Sequence, residues 1–123
     1  MVAYNFQERF VPAIVQGSKR QTIRRIGKRR HAEPGDQLQL YTGMRTTQCR
    51  KILEEDPTCL TVRPVEIRIS EQWISVIVEG TPVRDLEAFA RQDGFDDATQ
   101  FHRFWKRFNK GPGVVDHLLI TWG

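Results

Sequence analysis

Gly17-Ser18-Lys19-Arg20-Gln21-Thr22-Ile23-Arg24 is the stretch on which the fold turns, because there the chain passes from a helical period to an extended one. Upstream, Phe6, Phe10 and Ile14 recur at helical spacing, Pro12 is tolerated in a first turn, and Gly17 is a natural helix stop. This predicts a short helix over Phe10–Gln16, preceded by a strand beginning Met1-Val2-Ala3-Tyr4. Downstream, an extended run alternates its side chains between two faces, which by strict parity puts Lys19 opposite Thr22. A turn at Gly17-Ser18 is the device that would bring both to one side. The same run opens a basic segment: seven Lys and Arg lie between Lys19 and Arg30, His31 follows, and no acid interrupts them.

Outward from this segment, Pro34-Gly35-Asp36 reads as a turn and Gln37–Thr42 as a half-buried strand, with Cys49–Leu53 as its hairpin partner. Leu60–Ile69 is a longer strand whose apolar phase slips, predicting a bulge at Arg63-Pro64. Trp73–Val78 is a further strand. Past Gly80-Thr81-Pro82 the period becomes helical: one helix over Asp85–Gln92, broken by Asp93-Gly94, and a second opened by the Asp97/Gln100 capping box. Phe101, Phe104, Trp105 and Phe108 stripe that second helix and read as core rather than as a base-stacking platform. Val114–Trp122 closes the chain as a strand. The expected fold is α+β, a single domain over residues 1–123. It is a small barrel of five to six mainly antiparallel strands with one short early helix and two late ones.

A chain of 123 residues, 39% hydrophobic and 28% charged, has the composition of an ordinary soluble domain. With no bilayer-length apolar run and no signal-peptide pattern, a cytoplasmic location with no membrane partner is expected. Cys49 and Cys59 are too few for a structural zinc site and no histidine stands at ligand spacing from them, so they read as free thiols. No metal or cofactor is implied. The net charge of +4 is unevenly spread: from Lys19 to Lys51 ten basic residues face two acids, Glu33 and Asp36, whereas the rest of the chain is net acidic. That polarity fits a phosphate-bearing partner, or alternatively a solvated basic loop.

No phosphate-cradling glycine motif, nucleophile elbow or H-E-x-x-H is present. What remains is Lys19-x-x-Thr22-x-Arg24, the loop Tyr41-Thr42-Gly43-Met44-Arg45-Thr46, and Asp93 at the helix break. Phe6-x-x-Arg9-Phe10-x-x-x-Ile14-x-x-Gly17-x-Lys19-x-x-Thr22-x-Arg24, followed by Gly35-Asp36 opening a strand, resembles the activating-signal-cointegrator homology (ASCH) family. The segment from Tyr41 to Arg50 is similar to a subgroup met in bacteria and phages. The resemblance implies a PUA-like β-barrel that binds RNA or modified nucleosides, some members being enzymes. In the acetylcytidine amidohydrolase branch a lysine, a threonine and a glutamate hydrolyse an N-acylated cytosine. The first two correspond to Lys19 and Thr22, and the glutamate falls on Asp93, one methylene shorter.

The trio is chemically coherent for that reaction. Threonine is a weak nucleophile that needs a base. Lysine serves if desolvation or positive neighbours such as Arg20, Arg24 and Arg25 depress its pKa. A carboxyl kept protonated by an apolar pocket can donate to the leaving nitrogen. The trio is equally coherent as a binding site, with Lys19 and Arg24 on phosphate, Thr22 on a base edge and Asp93 accepting from an exocyclic amine. Three functions follow: an amidohydrolase of an N4-acetylcytidine-type nucleoside, a non-catalytic RNA-binding module, or a ribonuclease in which Lys19 stabilises phosphoryl charge. A cleft is predicted between Gly17–Arg30 and Gly80–Asp97. Arg24, Tyr41 and Arg45 would contact substrate there, and Arg20, Arg25, Lys28, Arg29 and Arg30 would form the nucleic-acid rim. The physiological ligand, oligomeric state, protein partners and the place of His31 stay open at this level.

Overall fold

The computed structural model describes residues 2–123; the predicted strand residue Met1 lies outside them. Strand β1 (Val2–Phe6) leads through a 3₁₀ turn, Glu8–Phe10, into helix α1 (Val11–Gln16). Pro12 sits in the first turn of α1, and Gly17 ends it at φ 84°, the left-handed conformation that glycine adopts without a Cβ penalty. Next come β2 (Gln21–Arg25), β3 (Leu38–Thr42), β4 (Arg50–Lys51), β5 (Cys59–Ile69), β6 (Ile74–Val78) and β7 (Thr81–Pro82). Helices α2 (Leu86–Gln92) and α3 (Ala98–Phe108) and strand β8 (Gly113–Trp122) complete the chain. Among the described residues the fold is therefore α+β with three helices, as expected, but with eight strands rather than five or six, β4 and β7 being two-residue pairings.

The strands do not close into one barrel. They form a three-stranded sheet in the order β1-β3-β4 and a five-stranded sheet in the order β2-β8-β5-β6-β7. Strands β1 and β3 pair in parallel, and every other pair is antiparallel. The edge of β1 that would have to pair for closure is occupied by side chains. Arg24 Nη2 donates to Asn5 O at 2.7 Å, and an Arg29 guanidinium nitrogen donates to Ala3 O. Residues 3 and 5 of a strand present their carbonyls on the same edge, so two arginines satisfy acceptors that a neighbouring strand would otherwise take.

The bulge in β5 also falls elsewhere than predicted. The register against β8 shifts between Cys59 and Thr61, which leaves Leu60 as the extra, exposed residue. Pro64 stays in register with Leu118. Its carbonyl accepts from Glu79 N just beyond the last β5–β6 pair, so its missing donor faces the end of β6, where no ladder bond is lost.

One apolar cluster joins both sheets and the late helices. Phe6 of β1 meets Trp122 of β8 edge-on at 6.0 Å, and Phe95 packs against Phe10, Phe101 and Phe104. Each such ring removed from water contributes about 1.5–3 kcal/mol. Asp85 and Asp97 cap α2 and α3 by accepting from Ala88 N and Gln100 N. The Gln100 side chain turns to Asp96 rather than back to Asp97, so only half of the predicted capping box forms. His102 Nε2 donates to Ser70 O at 2.7 Å, tying α3 to the β5–β6 turn. No helix among the described residues is long and apolar enough to cross a membrane.

Candidate functional site

Lys19 is not part of β2, so strand parity does not govern it. After Gly17, the N–H groups of Ser18 and Lys19 both return to Ala13 O at 3.0 Å. This compact helix end swings Lys19 inward before the strand begins. The side chain is 3% exposed, and its Nζ donates to Gln21 O at 2.8 Å and to Asp93 O at 2.5 Å, with Asp93 Oδ1 at 3.8 Å. It also lies 4.9 Å from the centre of the Phe10 ring.

Asp93, 4% exposed, ends α2 and accepts from Gln21 Nε2 at 3.2 Å through Oδ1. It sits beside Lys19 rather than across a pocket from it. Burial disfavours both charged forms. It lowers the Lys19 pKa against the pull of Asp93, and it raises the Asp93 pKa against the pull of Lys19. Gly94 makes the approach possible. Its φ is +98°, and a Cβ there would stand 2.7 Å from Phe10 Cδ1 and 2.8 Å from Lys19 Cδ.

Thr22, on β2 and 5% exposed, accepts from Arg24 Nε at 3.0 Å, which leaves its own hydroxyl proton free. No hydrogen bond joins it to Lys19 among the described residues. Arg24 lies over the rings of Tyr4 and Phe6 at 5.0 and 4.7 Å. Its burial pushes its pKa down to about 10, still charged at neutral pH.

These side chains line a cavity of about 510 Å³. Lys19, Thr22, Asp93 and Arg24 line it together with Arg25, Lys28 and Arg29. The rings of Phe6, Phe10, Phe95 and Phe104 line it too, Phe6 and Phe10 in contact with Lys19, as does the exposed Phe108. On the Gly17–Arg30 side of the predicted cleft, Lys19, Thr22, Arg24 and Arg25 line this cavity; on the Gly80–Asp97 side Asp93 and Phe95 do, whereas Gly80 belongs to a separate groove. Residues of β1 and α3 line the cavity as well.

Four predicted contact or rim residues lie outside the cavity. Tyr41 is half-buried on β3, paired with Asn5 and Lys51. Arg45 is exposed in the β3–β4 loop at φ 66°. Arg20 lies over Gly17, and Arg30 pairs with Asp36 at 3.2 Å. Arg29 lines the cavity but is committed to the β1 edge.

Sequence reasoning missed other lining residues. The α3 aromatics are core only in part: Phe101 is fully buried, whereas the buried Trp105 together with Phe104 and Phe108 lines the cavity, and Phe108 is 51% exposed. His31 does border it. Its Nε2 donates to Arg25 O at 2.7 Å, its Nδ1 accepts from Tyr4 Oη at 3.0 Å, and Tyr4 Oη accepts from Ala32 N at 3.1 Å. His117 donates through Nδ1 to Asp116 O and stands edge-on to Trp105 and Phe108. Burial lowers its pKa. The buried Trp105 indole N–H finds no acceptor among the described residues. A histidine alternating with apolar residues in β8 was the available signal for His117, but alternation alone does not distinguish a cavity from a core.

No family model, curated protein or solved structure matches this chain.

Proposed function

We propose that the cavity holds the base of a modified nucleoside, free or within RNA, and that its inner side hydrolyses an N-acyl amide on that base in an ASCH-related, PUA-like domain. The observation that carries this is the placing of a desolvated amine–carboxyl pair and a threonine hydroxyl in one cavity lined also by aromatic rings and cations. A planar base fits against the rings, and the linked phosphate meets Arg25 and Lys28.

In the reaction, Thr22 Oγ1 attacks the acyl carbon. The Arg24 Nε–H already directed at that oxygen steadies the charge of the attacking atom. A neutral Lys19 has two N–H bonds, matching its two carbonyl acceptors, and a lone pair left to take the threonine proton through one intervening water. Asp93, whose protonated form burial favours, donates to the leaving exocyclic nitrogen. The nucleoside amine departs, and water then cleaves the threonine ester to release the acid. A non-catalytic RNA-binding role would use the same contacts. Ribonuclease chemistry finds less support, because the Lys19 amine is already engaged by two backbone carbonyls and stands beside the Asp93 carboxyl.

The test is incubation with acetylcytidine and, separately, with short single-stranded RNA, using the wild type, Lys19→Ala and Thr22→Ala. Loss of deacetylation in both variants is expected. RNA cleavage that needs Lys19 and survives loss of Thr22 would replace this function with ribonuclease chemistry. Salt-sensitive binding without turnover of either substrate would leave only a binding module.

A further inference from the structure

Phe108 is an anomaly for a residue on the apolar stripe of α3. One flank packs on Phe104 at 6.4 Å in a near-parallel stack, on Trp105 at 5.2 Å and on His117 at 5.8 Å. The rest of the ring is open, and it borders the cavity. Four cations stand near Phe108, two of them lining the cavity and two beside it in the chain. Arg25 is the register partner of His117, whose ring touches Phe108; Lys28 lines the same cavity; Arg107 and Lys110 flank Phe108 in the chain. None of these four enters a salt bridge among the described residues, although Arg29 and Arg30, next to Lys28 in the chain, are engaged.

An open aromatic face among uncompensated cations matches a ligand made of flat apolar rings joined by negative charges. Single-stranded nucleic acid is such a ligand, and bases stack on exposed aromatics whatever their sequence. We infer that Phe108 is the platform for the base next to the one in the cavity, so that the ligand is single-stranded RNA rather than a free nucleoside, with the intervening phosphate on Arg25 and Lys28. This rests on the proposed function and narrows its substrate class.

The test compares a fluorescently labelled single-stranded RNA oligonucleotide, followed by anisotropy, with the corresponding nucleoside monophosphate, followed by calorimetry. The wild type should bind the oligonucleotide more tightly than the monophosphate. Phe108→Ala should weaken oligonucleotide binding roughly 5- to 100-fold, the loss of one base–aromatic stack, and weaken monophosphate binding by clearly less. Phe108→Trp should retain the affinity. Phe108→Leu, which keeps the packing on Trp105, should behave like the alanine variant and guards against a folding artefact. Arg25→Gln and Lys28→Gln should each lower the salt dependence of oligonucleotide binding by about one counterion.

Equal affinity for oligonucleotide and monophosphate would overturn the platform while leaving the nucleoside cavity standing. So would equal losses for both ligands in Phe108→Leu, or a wild-type dimer that Phe108→Ala dissociates. If the wild type binds neither ligand, the proposed function itself fails.

Discussion

Replacing Lys19 with methionine keeps most of the buried stem and removes only the amine. The structure makes the consequence calculable to first order. The amine is withdrawn from Gln21 O and Asp93 O, and Asp93 keeps Gln21 as its remaining side-chain partner. Each buried acceptor left without its donor costs about 1–3 kcal/mol, and two are left here, Gln21 O and Asp93 O. A loss of about 3 kcal/mol is a large part of the 5–15 kcal/mol typical of a folded domain. At about 2.1 cal/mol/K per residue, 123 residues unfold with an entropy near 0.26 kcal/mol/K, so Tm should fall by about 12 °C.

The assay is urea and thermal unfolding of wild type, Lys19→Met, Asp93→Asn and the double variant. The double variant should cost less than the sum of the single ones by about 1–2 kcal/mol, since each single change strands a partner that the double change removes. Additive effects, or a loss below about 1 kcal/mol in Lys19→Met, would refute the buried pair.

Two further perturbations probe the supports of the site. Gly94→Ala forces a Cβ against Phe10 and Lys19 at a positive φ; it should cost about 2–4 kcal/mol in urea unfolding and weaken nucleoside binding, and a neutral effect would mean that Lys19 does not pack against this turn. For His117 the folded pKa lies below 6.5, so between those values the unfolded chain holds more protons and stability rises with pH. The His117→Gln variant should flatten the pH profile of unfolding free energy in that window, and an unchanged slope would show that His117 is not held neutral.

Whereas the two-residue strand β7 was not legible in the sequence, the order and type of the longer elements were, because each rests on a local signal. Examples are the Phe6/Phe10/Ile14 spacing ended by Gly17, the β-branched run from Ile74 to Val78, and the Asp97 cap. The parity difficulty at Lys19 dissolves only in three dimensions: two N–H groups converging on Ala13 O take the lysine out of the strand altogether. Closure of the sheets was not legible, because it depends on whether Arg24 and Arg29 reach solvent or the β1 carbonyls, and both outcomes have the same sequence. Asp93 was found by its place at the helix break, but its pairing with Lys19 joins residues 74 apart in the chain. The bulge at Leu60 was misplaced because a proline draws attention wherever it stands, whereas an exposed leucine leaves no local trace. Tyr41 and Arg45 were drawn in by their loop, which the β3–β4 pairing carries away from the cavity.

The proposed function puts a nucleoside in the cavity beside Lys19, Thr22 and Asp93. Titration of ¹⁵N-labelled protein with acetylcytidine, followed by NMR, tests it most directly, since the three indole N–H signals report from separate places. Trp105 borders the cavity, Trp122 lies in the core, and Trp73 is 56% exposed and not among the lining residues. Saturable shifts of the Trp105 indole and of the Thr22 and Gly94 amides, with Trp73 unmoved, are the predicted result. Saturable shifts confined to the Tyr41–Arg50 loop, or none at any ligand concentration, would contradict it.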